Sequence, residues 1–300
     1  HKRYHDSVMN RVALLMTSRG CPFRCNFCAC WKLMDGKYAA RTAESIIVEL
    51  KSMPERMNVV YFSDDNTFHD IGRMWKLNSL IRENGIRKKF QMYARADTII
   101  KHQDLFRELT GSGLQFLTVG LESIRREDLD YYNKKTSVEI NNQAIMILKK
   151  LNIHIMAHFI IRPEYGKEDF AELYRYVSRN NLFRPAYPVL TPLPGTDLFE
   201  EKYNEFQTRN YDYFDFVHSI LPTKLSKKEF YRQLSGIYVK SYSPLRVVAH
   251  RLNRFLSINK ARYFTSNIDG ASFIRFVLIY LAGTANFLKL RYYYVFKKGI

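Results

Sequence analysis

From residue 12 to about residue 196, short apolar runs alternate with stretches whose apolar residues recur at helical spacing. That alternation is the pattern of repeated strand–helix units laid around a parallel sheet. Six strands are predicted, at 12–17, 59–63, 90–95, 116–121, 154–161 and 187–191, each followed by a turn or polar residues. Between them, Thr42 is placed to cap a helix that buries Ile46, Ile47, Leu50 and Met53. Thr136 with Glu139 reads as a capping box for another that buries Ala144, Ile147, Leu148 and Leu151. Six such units are too few to close an eight-stranded barrel. The predicted class is therefore α/β, a partial (β/α)6 TIM-like barrel, with its chemistry at the C-terminal ends of the strands.

After Gly195 the rhythm changes: 203–216 is aromatic and acidic, while 226–241 and 243–256 look helical. The expected organisation is a core over 1–200 and a mainly helical C-terminal extension over 201–300. The longest apolar run, 276–288, is interrupted by Gly283 and Asn286. It is shorter than the roughly 20 residues that cross a bilayer, so it predicts an interfacial helix at most. The first residue is His1 and no leader pattern follows it, which reads as a fragment of a longer protein.

Composition adds bounds. With 46% hydrophobic and 25% charged residues in 300, the chain can bury a large core and is not a disordered polymer. Its formal charge of +18 favours an anionic partner, whether polyanion, membrane surface or substrate. The cations Arg246, Arg251, Arg254, Lys260, Arg262, Lys289, Arg291, Lys297 and Lys298 are scattered around the apolar run. Such scatter argues against nucleic acid and suits peripheral contact with an acidic membrane.

The four cysteines, Cys21, Cys25, Cys28 and Cys30, fall within ten residues. A disulfide framework is excluded in practice, and a metal site in a reducing, cytoplasmic compartment is the better reading. Gly20-Cys21-Pro22-Phe23-Arg24-Cys25-Asn26-Phe27-Cys28 has the form CxxxCxxC directly after the first strand. Three thiolates on a four-iron cubane leave one iron open for chemistry. Cys30, one residue beyond Cys28, is poorly spaced to take a separate vertex; a closed four-cysteine site holding zinc is the bland alternative.

This spacing, with aromatic Phe27 before the last cysteine, resembles the radical S-adenosylmethionine (SAM) superfamily over roughly residues 8–240. The resemblance implies a [4Fe-4S] cluster on Cys21, Cys25 and Cys28 that chelates SAM, and one-electron cleavage to methionine and a 5'-deoxyadenosyl radical. It also implies SAM contacts from Ser63, Asp64 and Asp65 at the second strand end, though the two aspartates read equally well as helix caps. Arg95 and Glu122, ending the third and fourth strands, would meet the SAM carboxylate and its ribose or amine. Arg162 occupies the family's glycine-rich turn after the fifth strand, and Thr191 and Pro192 the adenine-side turn, which is also readable as a rigid proline turn. Lys134 reads first as a solvated lysine, and His69, His154 and His158 have no metal-site spacing.

Ser18-Arg19-Gly20-Cys21-Pro22, Trp31, Asp64-Asp65, Gly120-Leu121-Glu122-Ser123 and the turn at Pro194 further resemble the cobalamin-binding class. That class includes hopanoid C-3 methylases and anaerobic magnesium-protoporphyrin monomethyl ester cyclases. The resemblance implies a cobalamin domain preceding these residues, a small hydrophobic substrate, and a reductase or flavodoxin/ferredoxin-type electron donor. The expected activity is methylation of an unactivated carbon on a hydrophobic, hopanoid-like substrate at the inner face of the membrane. The alternatives are oxidative ring closure and, from another class, a non-catalytic iron–sulfur or nucleic-acid-binding module.

Overall fold

The structure is a computed structural model that describes residues 5–6, 10–182 and 184–243. In chain order the strands are β1 (His5–Asp6), β2 (Asn10–Leu15), β3 (Ser18–Arg19), β4 (Ala39–Ala40), β5 (Val59–Phe62), β6 (Lys89–Ala94), β7 (Leu114–Glu122) and β8 (His154–Phe159). The helices are α1 (Cys30–Leu33), α2 (Ala43–Ser52), α3 (Ile71–Glu83), α4 (Ala96–Lys101), α5 (Gln103–Gly111), α6 (Arg126–Tyr131), α7 (Val138–Lys150), α8 (Lys167–Arg179), α9 (Asp197–Lys202) and α10 (Lys227–Ser241). The chain divides into two compact units, one of residues 1–160 with 188–221, the other of 161–187 with 222–300.

The first unit carries a sheet in the order β1-β2-β5-β6-β7-β8. All its pairings from β2 to β8 are parallel, and only the short edge strand β1 runs antiparallel to β2. The α/β class is thus as expected, but the parallel run has five strands. Residues 187–191, expected as the sixth strand, show isolated bridging at Val189 and no continuous strand. Pro185, Pro188 and Pro192 explain this, because each lacks the N–H that a ladder needs. Val189 instead donates its N–H to the carbonyl of Phe216 at 2.7 Å.

The helices form where amphipathic spacing and caps coincide. Thr42 Oγ1 accepts the N–H of Ser45, and α2 buries Ala43, Ile46, Ile47 and Leu50, with Met53 leaving the helix as its C-cap. For α7 the cap is Ser137 rather than Thr136: its Oγ accepts the N–H of Ile140 at 3.3 Å. The buried face is Asn141, Ala144, Ile145 and Leu148, a stripe at helical spacing, and Ile147 and Leu151 are only partly buried.

The period of two along the strands sorts the remaining side chains. Val59 and Phe116 form a buried cluster with Val12 and Met156 packed against it. Two residues further along, the same face presents Tyr61, Thr118 and His158, with Tyr93 in register with Thr118. An apolar plug therefore gives way to polar groups towards the C-terminal strand ends.

In the second unit, α8 and α10 pack through Phe170 and Phe230, whose rings meet edge to face at 5.7 Å. Tyr187 joins them, its hydroxyl 2.6 Å from Ser241 Oγ. Among the described residues no helix is long and apolar enough to cross a membrane. The basic and apolar stretches expected beyond residue 243 lie outside the described residues.

Candidate functional site

The cysteine segment leaves β2 through a tightly held lead-in. Asp64, at the end of β5, accepts the N–H groups of Thr17 (2.6 Å) and Ser18 (3.0 Å) on Oδ1 and the Thr17 hydroxyl (2.5 Å) on Oδ2. Asp65 Oδ2 accepts the N–H of Gly20 at 2.7 Å. Gly20 has φ +84°, and a Cβ there would lie 2.1 Å from the Lys37 carbonyl oxygen, so only glycine fits.

Beyond Cys21 the loop is gripped from the turn after β7. Asn26 donates from its side chain to the Tyr131 carbonyl (2.7 Å) and from its backbone to that of Tyr132 (3.2 Å), while Asn133 reaches the Arg24 carbonyl at 2.7 Å. Trp31 Nε1 donates to the Cys25 carbonyl at 3.0 Å. Phe27 meets Tyr132 edge to face at 5.4 Å, fixing the residue before Cys28 in an apolar cluster with Ile160, Leu190 and Leu198.

Cys21, Cys25 and Cys28 open onto one cavity of about 240 Å³, shared with Asp65, Arg95, Glu122 and Lys134 and floored by Tyr93, Thr118 and His158. Six of the residues singled out in the sequence thus come together: the three cysteines, Asp65, Arg95 and Glu122. Ser63 and Asp64 stand just behind the rim, Ser63 donating its N–H to the Leu15 carbonyl. Thr191 turns its hydroxyl to the Val189 carbonyl at 2.9 Å, beside a buried Pro192. Arg162 belongs to the second unit, where Nε pairs with Glu164 Oε2 at 3.2 Å.

Sequence reasoning undervalued Lys134 and His158. Lys134 Nζ lies 2.6 Å from Glu122 Oε1 in a nearly closed setting. Burial pulls the lysine pKa down, but the carboxylate beside it more than compensates, and the ammonium holds its proton above its ordinary range. Burial lowers the His158 pKa, aided by the Lys134 charge and opposed by Glu122, so the imidazole facing the cavity favours its neutral form. Arg95 is held at the cavity wall: it ion-pairs with Asp97 at 3.0 Å, donates to the Lys134 carbonyl at 2.9 Å and stacks over Phe23 at 3.6 Å.

The thiols are electrostatically uneven. Burial raises Cys21 and Cys25, partly opposed by Arg95 and, at Cys25, by Lys134. Cys28 is lowered to about 7 because the Cys30 thiol donates to it, and Cys30 is raised by the same contact. Among the described residues no three His, Cys, Asp or Glu side chains gather to hold a single metal ion. A cubane, by contrast, offers its irons at separate corners, and three soft sulfur donors round one cavity suit it.

A model of the radical SAM superfamily matches residues 15–177, more than half of the chain. The chain belongs to the radical SAM superfamily. Its members use a [4Fe-4S] cluster and SAM, and the cysteine loop and adjoining cavity are where such a member would hold them. The chain is 28% identical over 233 residues to the hopanoid C-3 methylase of Methylococcus capsulatus, covering 78% of this chain and 45% of that protein. It is 26% identical over 257 residues to the anaerobic magnesium-protoporphyrin IX monomethyl ester cyclase of Rubrivivax gelatinosus, covering 79% and 43%. The chain therefore spans less than half the length of these curated relatives. Its fold matches the radical SAM methyltransferase TsrM from Kitasatospora setae, solved with cobalamin and a [4Fe-4S] cluster bound, at TM-score 0.56 and 15% identity over 71% of this chain and 44% of that one.

Proposed function

We propose that this radical SAM enzyme is the core of a cobalamin-dependent C-methylase acting on an unactivated carbon of a hydrophobic, hopanoid-like small molecule. The observation that carries the radical SAM chemistry is the convergence of Cys21, Cys25 and Cys28 on a cavity with a buried Glu122–Lys134 pair. When bound, the cluster supplies the electron that cleaves the SAM sulfonium to methionine and a 5'-deoxyadenosyl radical. The chain's own contribution is positional: the cysteines would ligate the cluster, and Asp65, Glu122 and Arg95, which line the cavity, would meet the amino acid end of SAM. Thr191 and Pro192 are assigned to its adenosine end. Cobalamin would be held by a domain other than the one described, with electrons from a flavodoxin- or ferredoxin-type donor. Methylation is favoured by the likeness to the hopanoid methylase, and a cytoplasmic place against the membrane follows from such a substrate.

Oxidative ring closure of a magnesium-protoporphyrin ester is the second reading, supported by likeness to the cyclase over a similar share of the chain. Protein reconstituted anaerobically with iron and sulfide should release 5'-deoxyadenosine from SAM and dithionite; a non-catalytic iron–sulfur module would release none. With the full-length protein, transfer of the labelled SAM methyl group to a polycyclic lipid supports methylation. A cyclised porphyrin without label supports the second reading.

A further inference from the structure

Thr17, Asp64 and Arg73 form a buried polar triad at the lead-in to the cysteine segment: their exposures are 0%, 4% and 8%. Neither charge faces the cavity. The Thr17 hydroxyl donates to Asp64 Oδ2 at 2.5 Å and accepts from Arg73 Nη1 at 3.2 Å, so a carboxylate and a guanidinium out of water meet through one hydroxyl. Arg73 also donates to the Thr17 carbonyl (3.1 Å) and, from Nη2, to the Thr67 carbonyl and the Tyr38 hydroxyl (both 3.1 Å). Asp64 holds the N–H groups of Thr17 and Ser18.

Apart from a 3.9 Å contact of Arg73 Nη2 with Met74 Sδ, the bonds of this set end on the residues leading into Cys21 or on the loop and strand beside them; Arg73 Nε is the one buried donor of the set without a partner. Buried charges gain only when each lone pair and proton is met, which makes such a set intolerant of displacement. We propose that the Thr17-bridged Asp64–Arg73 pair is a positioning device that fixes the cysteine loop for cluster capture, with Asp64 serving the loop rather than SAM. This rests on the reading of Cys21, Cys25 and Cys28 as cluster ligands.

Removing the hydroxyl isosterically as Thr17→Val leaves both charges unbridged, whereas Thr17→Ser keeps the bridge, and Asp64→Asn keeps one acceptor but loses the charge. The measurements are iron bound after anaerobic reconstitution, the rate of iron loss to a ferrous chelator, the electron paramagnetic resonance signal of the reduced cluster with and without SAM, and the melting point of the iron-free protein. Losing a hydrogen bond to a charged group should speed iron loss about tenfold or more in Thr17→Val and Asp64→Asn. Thr17→Ser should match the wild type. Thr17→Val and Asp64→Asn should also lower iron-free melting, since each leaves buried charge unmet. The distant cap variant Ser137→Ala should lower melting while keeping the wild-type rate of iron loss.

Equal iron loss in Thr17→Val and wild type overturns the proposal. So does an Asp64→Asn protein that keeps its iron but loses the spectral response to SAM, which would make Asp64 a SAM ligand. Iron loss in Ser137→Ala as fast as in Thr17→Val would trace the effect to general destabilisation, reduce the triad to a fold element and also overturn the proposal. A wild-type chain that binds no cluster removes the cluster reading, and the device with it.

Discussion

Lys134 Nζ is 2.6 Å from Glu122 Oε1, and the two side chains are only 11% and 9% exposed. Removing one member strands the other charge. Lys134→Met should therefore destabilise the protein by about 3 kcal/mol in urea unfolding, and the Lys134→Met, Glu122→Gln double variant should regain part of that loss. Both should cleave SAM poorly, as a stopped assay of 5'-deoxyadenosine would show.

Gly120 is the space that admits this pair. A Cβ there would sit 2.2 Å from Glu122 Oε1 and 3.0 Å from Lys134 Nζ. Gly120→Ala should push the carboxylate aside and cost about 1–3 kcal/mol. Gly72→Ala is the control: its Cβ meets nothing closer than 3.6 Å, within helix α3, and it should be neutral or stabilising by about 0.5 kcal/mol.

Replacing Cys21, Cys25 or Cys28 singly with serine should abolish the cluster absorption of the reconstituted protein. Cys30→Ser should keep it. Loss of the cluster in Cys30→Ser would point to four protein ligands and no open iron.

The helix cap gives a stability test independent of the site. Ser137→Ala should cost about 1 kcal/mol in urea unfolding because the N–H of Ile140 loses its acceptor. Thr136→Ala leaves that cap untouched.

Asp215 supplies the pH dependence. Burial pushes its pKa up, but the N–H groups of His218 and Val217 and the His218 ring outweigh burial, and the net shift is down. An acid whose folded pKa lies below its unfolded value contributes stability above the unfolded value, near 4, and loses it as pH falls through the folded one. The carboxylate is 37% exposed, so solvent screening keeps the contribution near about 1 kcal/mol. Asp215→Ala should be less stable than wild type at pH 7 by that amount, with the difference vanishing towards pH 2.

The strand periodicity and the Thr42 cap were legible because both are local: side-chain alternation and a hydroxyl three residues from an amide need no distant partner. The sixth strand was overestimated because apolar residues outweighed the prolines among them, and the α7 cap was misplaced because Thr136 and Ser137 are equally good acceptors by type. Hydrogen-bond geometry chose between them.

Cys21, Cys25 and Cys28 were readable in advance because their spacing within eight residues carries the chemistry. The partners of that loop were not readable. Asp64 lies 47 positions from Thr17 and Arg73 lies 56 from it, and Lys134 looked like any exposed lysine. Whether a charged side chain meets water, a cofactor or another buried charge depends on which strands become neighbours. Desolvation is a property of the packed sheet, and no window along the chain contains it.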